Sequence, residues 1–167
     1  MRYLDKISVA LFVGGAITLT QISLADELKQ NYKLAAALNQ GIPLKERDAE
    51  AYYNRGLIYA IELQQYERAL AEFNQALALN PQYAEAYTNR GNTHAQLQQY
   101  NKALEDFNQA LTINPQDGLA YYNRGLAYYE LGNITQTKKD WKKAASLFQQ
   151  QNSIQLYQSI QQELQQL

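Results

Sequence analysis

An internal repetition constrains this chain more than any other feature. Leu63–Gln82 reads LQQYERALAEFNQALALNPQ and Leu97–Gln116 reads LQQYNKALEDFNQALTINPQ, with fourteen of twenty positions identical at an offset of 34. The strings Tyr52–Gly56 (YYNRG), Tyr87–Gly91 (YTNRG) and Tyr121–Gly125 (YYNRG) recur at offsets of 35 and 34. A period of this length is one supersecondary unit. It cannot bury both of its faces alone, so successive units must stack. Each unit holds two stretches with apolar residues at helical spacing, joined by a short polar turn. Asn80-Pro81 and Asn114-Pro115 close the second stretch, because a residue before Pro is pushed out of the helical region.

Gly56, Gly91 and Gly125 fall inside the first stretch, where Gly costs roughly 1 kcal/mol against Ala. Such a cost is tolerable where a neighbouring helix must approach closely. Ala69 with Ala76, and Ala103 with Ala110, follow the same small-residue logic. One spacing departs from the period: Gly56 to Tyr66 spans ten residues and Gly91 to Tyr100 spans nine. An extra residue within 57–62 predicts a longer first helix with a local bulge or shifted turn. A loosened turn at Gln64-Gln65 is the alternative.

The period and these residues resemble the tetratricopeptide repeat, a helix-turn-helix unit. The first copy carries Tyr52, Gly56, Tyr59, Ala69, Phe73, Ala76 and Pro81. The second carries Tyr87, Gly91, Ala103, Phe107, Ala110 and Pro115, with His94 where Tyr is usual. The third carries Tyr121, Gly125, Tyr128, Trp141 in the Phe place and Ala144; Thr137 replaces Ala and the terminal Pro is missing. Arg55, Arg90 and Arg124 replace the usual Leu. The resemblance covers about 49–148. It implies an all-α fold, a right-handed α-solenoid of antiparallel helix pairs with repeats at 49–82, 83–116 and 117–150. Segment 26–48 reads as a degenerate leading helix and loop, broken at Gly41-Ile42-Pro43. Asp48 and Asp117 are expected N-caps. Segment 151–167 reads as an amphipathic capping helix, with a disordered Gln-rich tail as the alternative.

Composition removes whole classes of chemistry. The 167 residues contain no Cys and one His, His94, so disulfides, zinc–thiolate sites and multi-His metal sites are excluded. His94 takes a packing place that Tyr59 and Tyr128 hold in the other copies. No Gly-rich phosphate loop or metal spacing is present. No enzyme activity, cofactor or metal is expected. Fifteen Lys and Arg balance sixteen Asp and Glu, a formal net charge of −1, which gives no electrostatic footprint for nucleic acid.

Residues 1–25 differ from the rest. Arg2 and Lys6 precede an apolar run from Ile7 to Leu19, and Ser23-Leu24-Ala25 ends the segment. These are the three parts of a secretory signal peptide cleaved after Ala25. The alternative is an uncleaved membrane anchor over Ile7–Leu24. Either form places the remainder in a periplasmic or other extracytoplasmic compartment.

The resemblance also implies where function sits, since in this family the first helices line a concave groove. The groove residues are Glu50, Tyr53, Asn54, Leu57, Ala60 and Ile61 in copy one, and Glu85, Thr88, Asn89, Asn92, Ala95 and Gln96 in copy two. In copy three they are Leu119, Tyr122, Asn123, Leu126, Tyr129 and Glu130. Asn54, Asn89 and Asn123 take one place in each copy. This is similar to the asparagine ladder that holds peptide backbone in the repeats of O-linked N-acetylglucosamine transferase. An Asn amide offers donors and an acceptor; the alternative is bonding to neighbouring helices. Tyr53 and Tyr122 either contact a ligand or pack between first helices. The family's clamp for acidic chaperone tails is not matched, because Tyr53, Leu119 and Asn123 fill its basic positions. Arg55, Arg90 and Arg124 are expected to pair with acids on adjacent helices or to cap carbonyls. Lys138, Lys139, Lys142 and Lys143 form a solvated convex face, or alternatively a patch for headgroups or an acidic partner. The expected function is a protein-interaction module holding a partner's peptide segment. A structural protein that self-assembles through exposed repeat edges is the second reading.

Overall fold

The computed structural model describes residues 49–167. The segment 1–25, the leading helix expected in 26–39 with its breaker, and the Asp48 cap lie outside the described residues. The chain is an all-α solenoid of paired antiparallel helices. It divides into two compact units, with the described boundary between Pro81 and Gln82.

The first unit contains α1 (Ala49–Leu57), continued by a π-helical segment Ile58–Glu62, and α2 (Tyr66–Leu79). Gly56 lies against the fully buried ring of Phe73; a Cβ on it would stand 2.6 Å from Phe73 Cε1. Leu57 to Ala60 correspond to Asn92 to Ala95 of the second copy, and Glu62 and Leu63 to Gln96 and Leu97. Ile61 is left over, and it is 54 % exposed. The hydrogen bonds show how it is absorbed. Gln65 N donates to Tyr59 O at 2.8 Å across six residues. The equivalent bonds, Gln99 N to His94 O at 2.9 Å and Asn133 N to Tyr128 O at 2.8 Å, cross five. The widened π turn holds the inserted residue outside the interface, which is the common form of such bulges. The turn itself is not loosened: Gln64 at φ 51° matches Gln98 at φ 58°.

The second unit contains α3 (Ala84–Gln96), α4 (Tyr100–Ile113), α5 (Gly118–Glu130), α6 (Ile134–Gln150) and α7 (Ile154–Gln165). Gly91 meets Phe107, with a built Cβ 2.8 Å from Cε1, and Gly125 meets Trp141. Trp141 Nε1 donates to Tyr122 O at 3.2 Å, so the larger ring is hydrogen-bonded as well as packed. Thr137 is fully buried and donates to Asn133 O at 3.0 Å, which lets a hydroxyl stand where Ala was usual. Asp117 caps α5, accepting from Ala120 N at 3.0 Å. Without Asn-Pro, α6 runs for 17 residues against 14 in α4. Helix α7 lays Ile160, Leu156, Tyr157 and Leu164 on Tyr122, Leu126, Trp141 and Phe148.

The turns after α3 and α5 end in the same way. Gln98 N donates to Ala95 O and Gln99 N to His94 O, and Gly132 and Asn133 repeat the pattern. This is a Schellman end, which needs a left-handed residue. Gly132 (φ 76°) adopts it without strain, whereas Gln98 carries a Cβ there.

Two outcomes are expected. Gln98→Gly should raise stability by about 0.5–1 kcal/mol in urea unfolding, and Gly132→Gln should lower it by a similar amount. The second concerns His94, whose Nδ1 lies 3.0 Å from Gln99 Oε1. Burial pushes its imidazole below the ordinary 6.5, against the opposing pull of Gln99 and Asp106. A lowered folded pKa means that the unfolded chain binds the proton more readily. The stability contributed by neutral His94 is therefore complete above the ordinary value and declines as pH falls through it. His94→Tyr, the residue of the other copies, should lose less thermal midpoint than the parent between about pH 7.5 and about pH 5.5.

Candidate functional site

The first helix of each pair presents one face to its second helix, where the three Arg residues are committed. Arg90 donates from Nε to Asp106 Oδ2 at 2.9 Å and from Nη2 to Oδ1 at 2.6 Å. Arg124 repeats this on Asp140 at 2.7 and 2.8 Å, and its Nη1 donates to Asn108 Oδ1 at 2.7 Å. Arg55 pairs with Glu72 at 2.5 Å. Each guanidinium also lies over a Tyr ring of its own helix: Tyr52 at 5.0 Å, Tyr87 at 5.3 Å and Tyr121 at 5.3 Å. The fork geometry of Arg suits both contacts. Burial opposes the charge of Arg90 and Arg124, but the bonded carboxylates outweigh it and raise both pKa values. The acceptors were not singled out from sequence, although Glu72, Asp106 and Asp140 stand at offsets of 34. That recurrence was the available signal.

The other face carries the expected groove residues. In the first unit Tyr53, Asn54 and Leu57 are half-buried. Tyr53 stands tilted against Phe73 with centroids 6.0 Å apart, so part of its ring serves packing. In the second unit Thr88 is buried, and its Oγ1 donates to Asp117 Oδ2 at 3.4 Å, tying α3 to the start of α5. Asn89 is half-buried, and its Nδ2 donates to Glu85 O, one turn back, at 2.9 Å. Asn92 is half-buried with its Oδ1 shielded from solvent and unpartnered among the described residues. Tyr129 is 36 % exposed, with its ring stacked 6.3 Å from that of Trp141. Leu119 is exposed beside α5's start, and Glu85 and Glu130 are exposed on the same helices.

Five expected groove residues are corrected by the structure: Thr88 and Ala95 in copy two are buried, at 7 % and 1 % exposure, and three residues of copy three are buried as well. Tyr122 is 4 % exposed, stacks on Trp141 at 5.7 Å and donates from Oη to Glu163 Oε1 at 3.0 Å. Leu126 is fully buried in the same cluster. Helix α7 covers both, taking the place that the first helix of a following repeat would hold. Asn123 is also buried, at 7 % exposure. The three equivalent Asn residues therefore do not share one environment, and the ladder is not uniform. Among the described residues no group of three His, Asp or Glu could hold a metal ion, and no helix is long and apolar enough to cross a membrane.

Comparison with known proteins agrees with this geometry. Residues 84–117 and 119–150 each match the tetratricopeptide repeat, and 61–98 match a TPR repeat. No curated protein matches the chain. Among solved structures, MamA is 27 % identical, with 92 % of this chain and 98 % of that one covered and a TM-score of 0.64. The second TPR of Spaghetti (RPAP3), bound to the HSP90 peptide SRMEEVD, is 25 % identical over 61 % of this chain and 94 % of that one, with a TM-score of 0.59. The Arabidopsis OM64 TPR domain shares the fold at 23 % identity, over 71 % and 94 % of the two chains, with a TM-score of 0.63. The matched segments run from 61 to 150, over more than half of the chain, which belongs to the tetratricopeptide repeat family.

Proposed function

We propose that this chain is a protein-interaction module, not an enzyme, that holds an extended, neutral or weakly basic peptide of a partner along its first helices. The observation that carries this reading is the division of labour on those helices. Each of their three Arg residues is bound to an internal carboxylate, while amides and part of the Tyr129 ring stay accessible to solvent. Asn92 brings a half-buried amide, Asn89 a second and Tyr129 an exposed ring. Amides match the N–H and C=O of an extended backbone without reading its side chains. Tyr adds apolar contact at low entropic cost.

The solved second TPR of Spaghetti supports peptide capture in such a fold, since it is bound to SRMEEVD. That peptide carries three carboxylate side chains. Here the first helices offer Glu85 and Glu130 instead of free cations, so an acidic tail meets like charge. The lone His94 is a packing residue, bonded to Gln99, and so is not held ready for acid–base work. We also infer that the module acts outside the cytoplasm as a scaffold or assembly factor. The basic start, apolar run and Ser23-Leu24-Ala25 ending of the first 25 residues support export, with Ile7–Leu24 kept as an anchor in the uncleaved form.

Peptide titration tests the polarity directly. The neutralised peptide SRMQQVN is expected to bind at least about tenfold more tightly than SRMEEVD. Combined Asn89→Ala, Asn92→Ala and Tyr129→Ala should remove most of that binding with the helical melt unchanged. Tighter binding of SRMEEVD, or full affinity in the triple variant, contradicts the reading.

A further inference from the structure

The face of α6 turned away from the core has no part in the peptide groove. Thr137, Asp140, Trp141, Ala144 and Phe148 of this helix are buried. Lys139, Lys142 and Lys143 are exposed on its other side, with Lys138 half-exposed beside them. Their i, i+4 spacing places the four ammonium groups in two adjoining rows. None of them makes an ion pair among the described residues. Asp140, the one acid on this helix, is bound to Arg124.

Packing does not require these lysines. The equivalent places hold Leu104, Glu105, Asn108 and Gln109 in copy two, and Leu70, Ala71, Asn74 and Gln75 in copy one. The same helix thus forms twice without a single Lys at these four places. The charge is also concentrated: Gln82–Leu167 has seven Lys and Arg and seven Asp and Glu, and four of the seven cations lie on this one surface. Like charges at i, i+4 are mildly unfavourable unless an external anion compensates.

The rows continue into an apolar tip. Leu131 is 45 % exposed and Ile134 is 36 % exposed, on either side of Gly132 in the turn before α6. Ile134, Lys138 and Lys142 form one row, with Thr135, Lys139 and Lys143 beside it. We propose that this face docks on an anionic lipid surface, with the lysines among the headgroups and Leu131 and Ile134 at the acyl boundary. Lysines next to exposed aliphatic side chains are the composition of interfacial binding. The face has no Arg fork to read a carboxylate or phosphate bidentately. It has no aromatic ring to stack a base. It therefore responds to charge density, and the aliphatic tip favours a bilayer over an acidic polymer.

The test is co-sedimentation of the full chain with vesicles of phosphatidylcholine alone or with about 30 % phosphatidylglycerol, a content that gives a negative surface potential. Segment 1–25 is common to every protein compared, so its contribution cancels. The quadruple variant K138Q/K139Q/K142N/K143Q takes at its last two places the residues of copy two, and circular dichroism checks that it melts like the parent. Each Lys near an anionic surface multiplies partitioning by about five, so the parent should prefer the anionic vesicles at least about thirtyfold more than the variant does. That preference should collapse in about 0.5 M salt. Leu131→Ser with Ile134→Ser should weaken anionic-vesicle binding severalfold. An equal preference in parent and quadruple variant overturns the proposal. So does binding of polyglutamate or DNA at salt concentrations where the anionic vesicles do not bind.

Discussion

The helix pairs depend on an approach that only a missing side chain permits. Phe73, Phe107 and Trp141 lie directly against the backbone of the preceding helix at Gly56, Gly91 and Gly125. Any Cβ there would overlap the ring. Each Gly costs its helix roughly 1 kcal/mol. Burying a large aromatic side chain, at about 25 cal/mol per Å², returns several times that. The contact sets both the distance and the rotation between the two helices, and the other features of the repeat fall into place around it.

The Arg–carboxylate pair is the first of these. Arg55, Arg90 and Arg124 directly precede the three Gly residues, and Glu72, Asp106 and Asp140 directly precede the three rings. A shift of one residue on either helix would break the packing and the ion pair together. Removing one partner from such a partly buried pair leaves a costly orphan charge. The same commitment shapes recognition. With Arg55, Arg90 and Arg124 turned inward, the opposite face of the first helices keeps amides, rings and a few carboxylates. Four further cations, Lys138, Lys139, Lys142 and Lys143, collect on the outer face of α6.

Positions related by the 34-residue period were legible in the sequence because three copies answer for one another. The helix pairs, the Gly approach, the packing role of His94 and the inward pairing of Arg follow from that comparison, and the Asp117 cap from the preference of Asp for that place. The extra residue was also legible as a bulge within 57–62, though its identity as Ile61 needed the hydrogen bonds around Tyr59 and Gln65. The groove was less legible. Equivalence of position treats every copy alike, but the last copy has no successor. Helix α7 closes over Tyr122 and Leu126, and this long-range packing depends on where Ile160 and Glu163 arrive in space. Asn89 and Asn123 share a sequence context yet not an environment, since one is half-buried and the other buried.

The shared register of Gly, ring, Arg and carboxylate is tested most directly by deleting Ile61 from the full chain and measuring the thermal midpoint by circular dichroism. The deletion shortens the Arg55–Glu72 spacing to the sixteen residues found in the other two copies. The π turn should become ordinary α-helix, with Gly56 still on Phe73, and the midpoint should be unchanged or higher. A one-residue slip rotates a helix by about 100°. If the register were instead set by the inserted residue, the deletion would separate Gly56 from Phe73 and Arg55 from Glu72. A midpoint lowered by more than about 5 °C, the scale of a 1 kcal/mol loss in a domain of this size, contradicts the account.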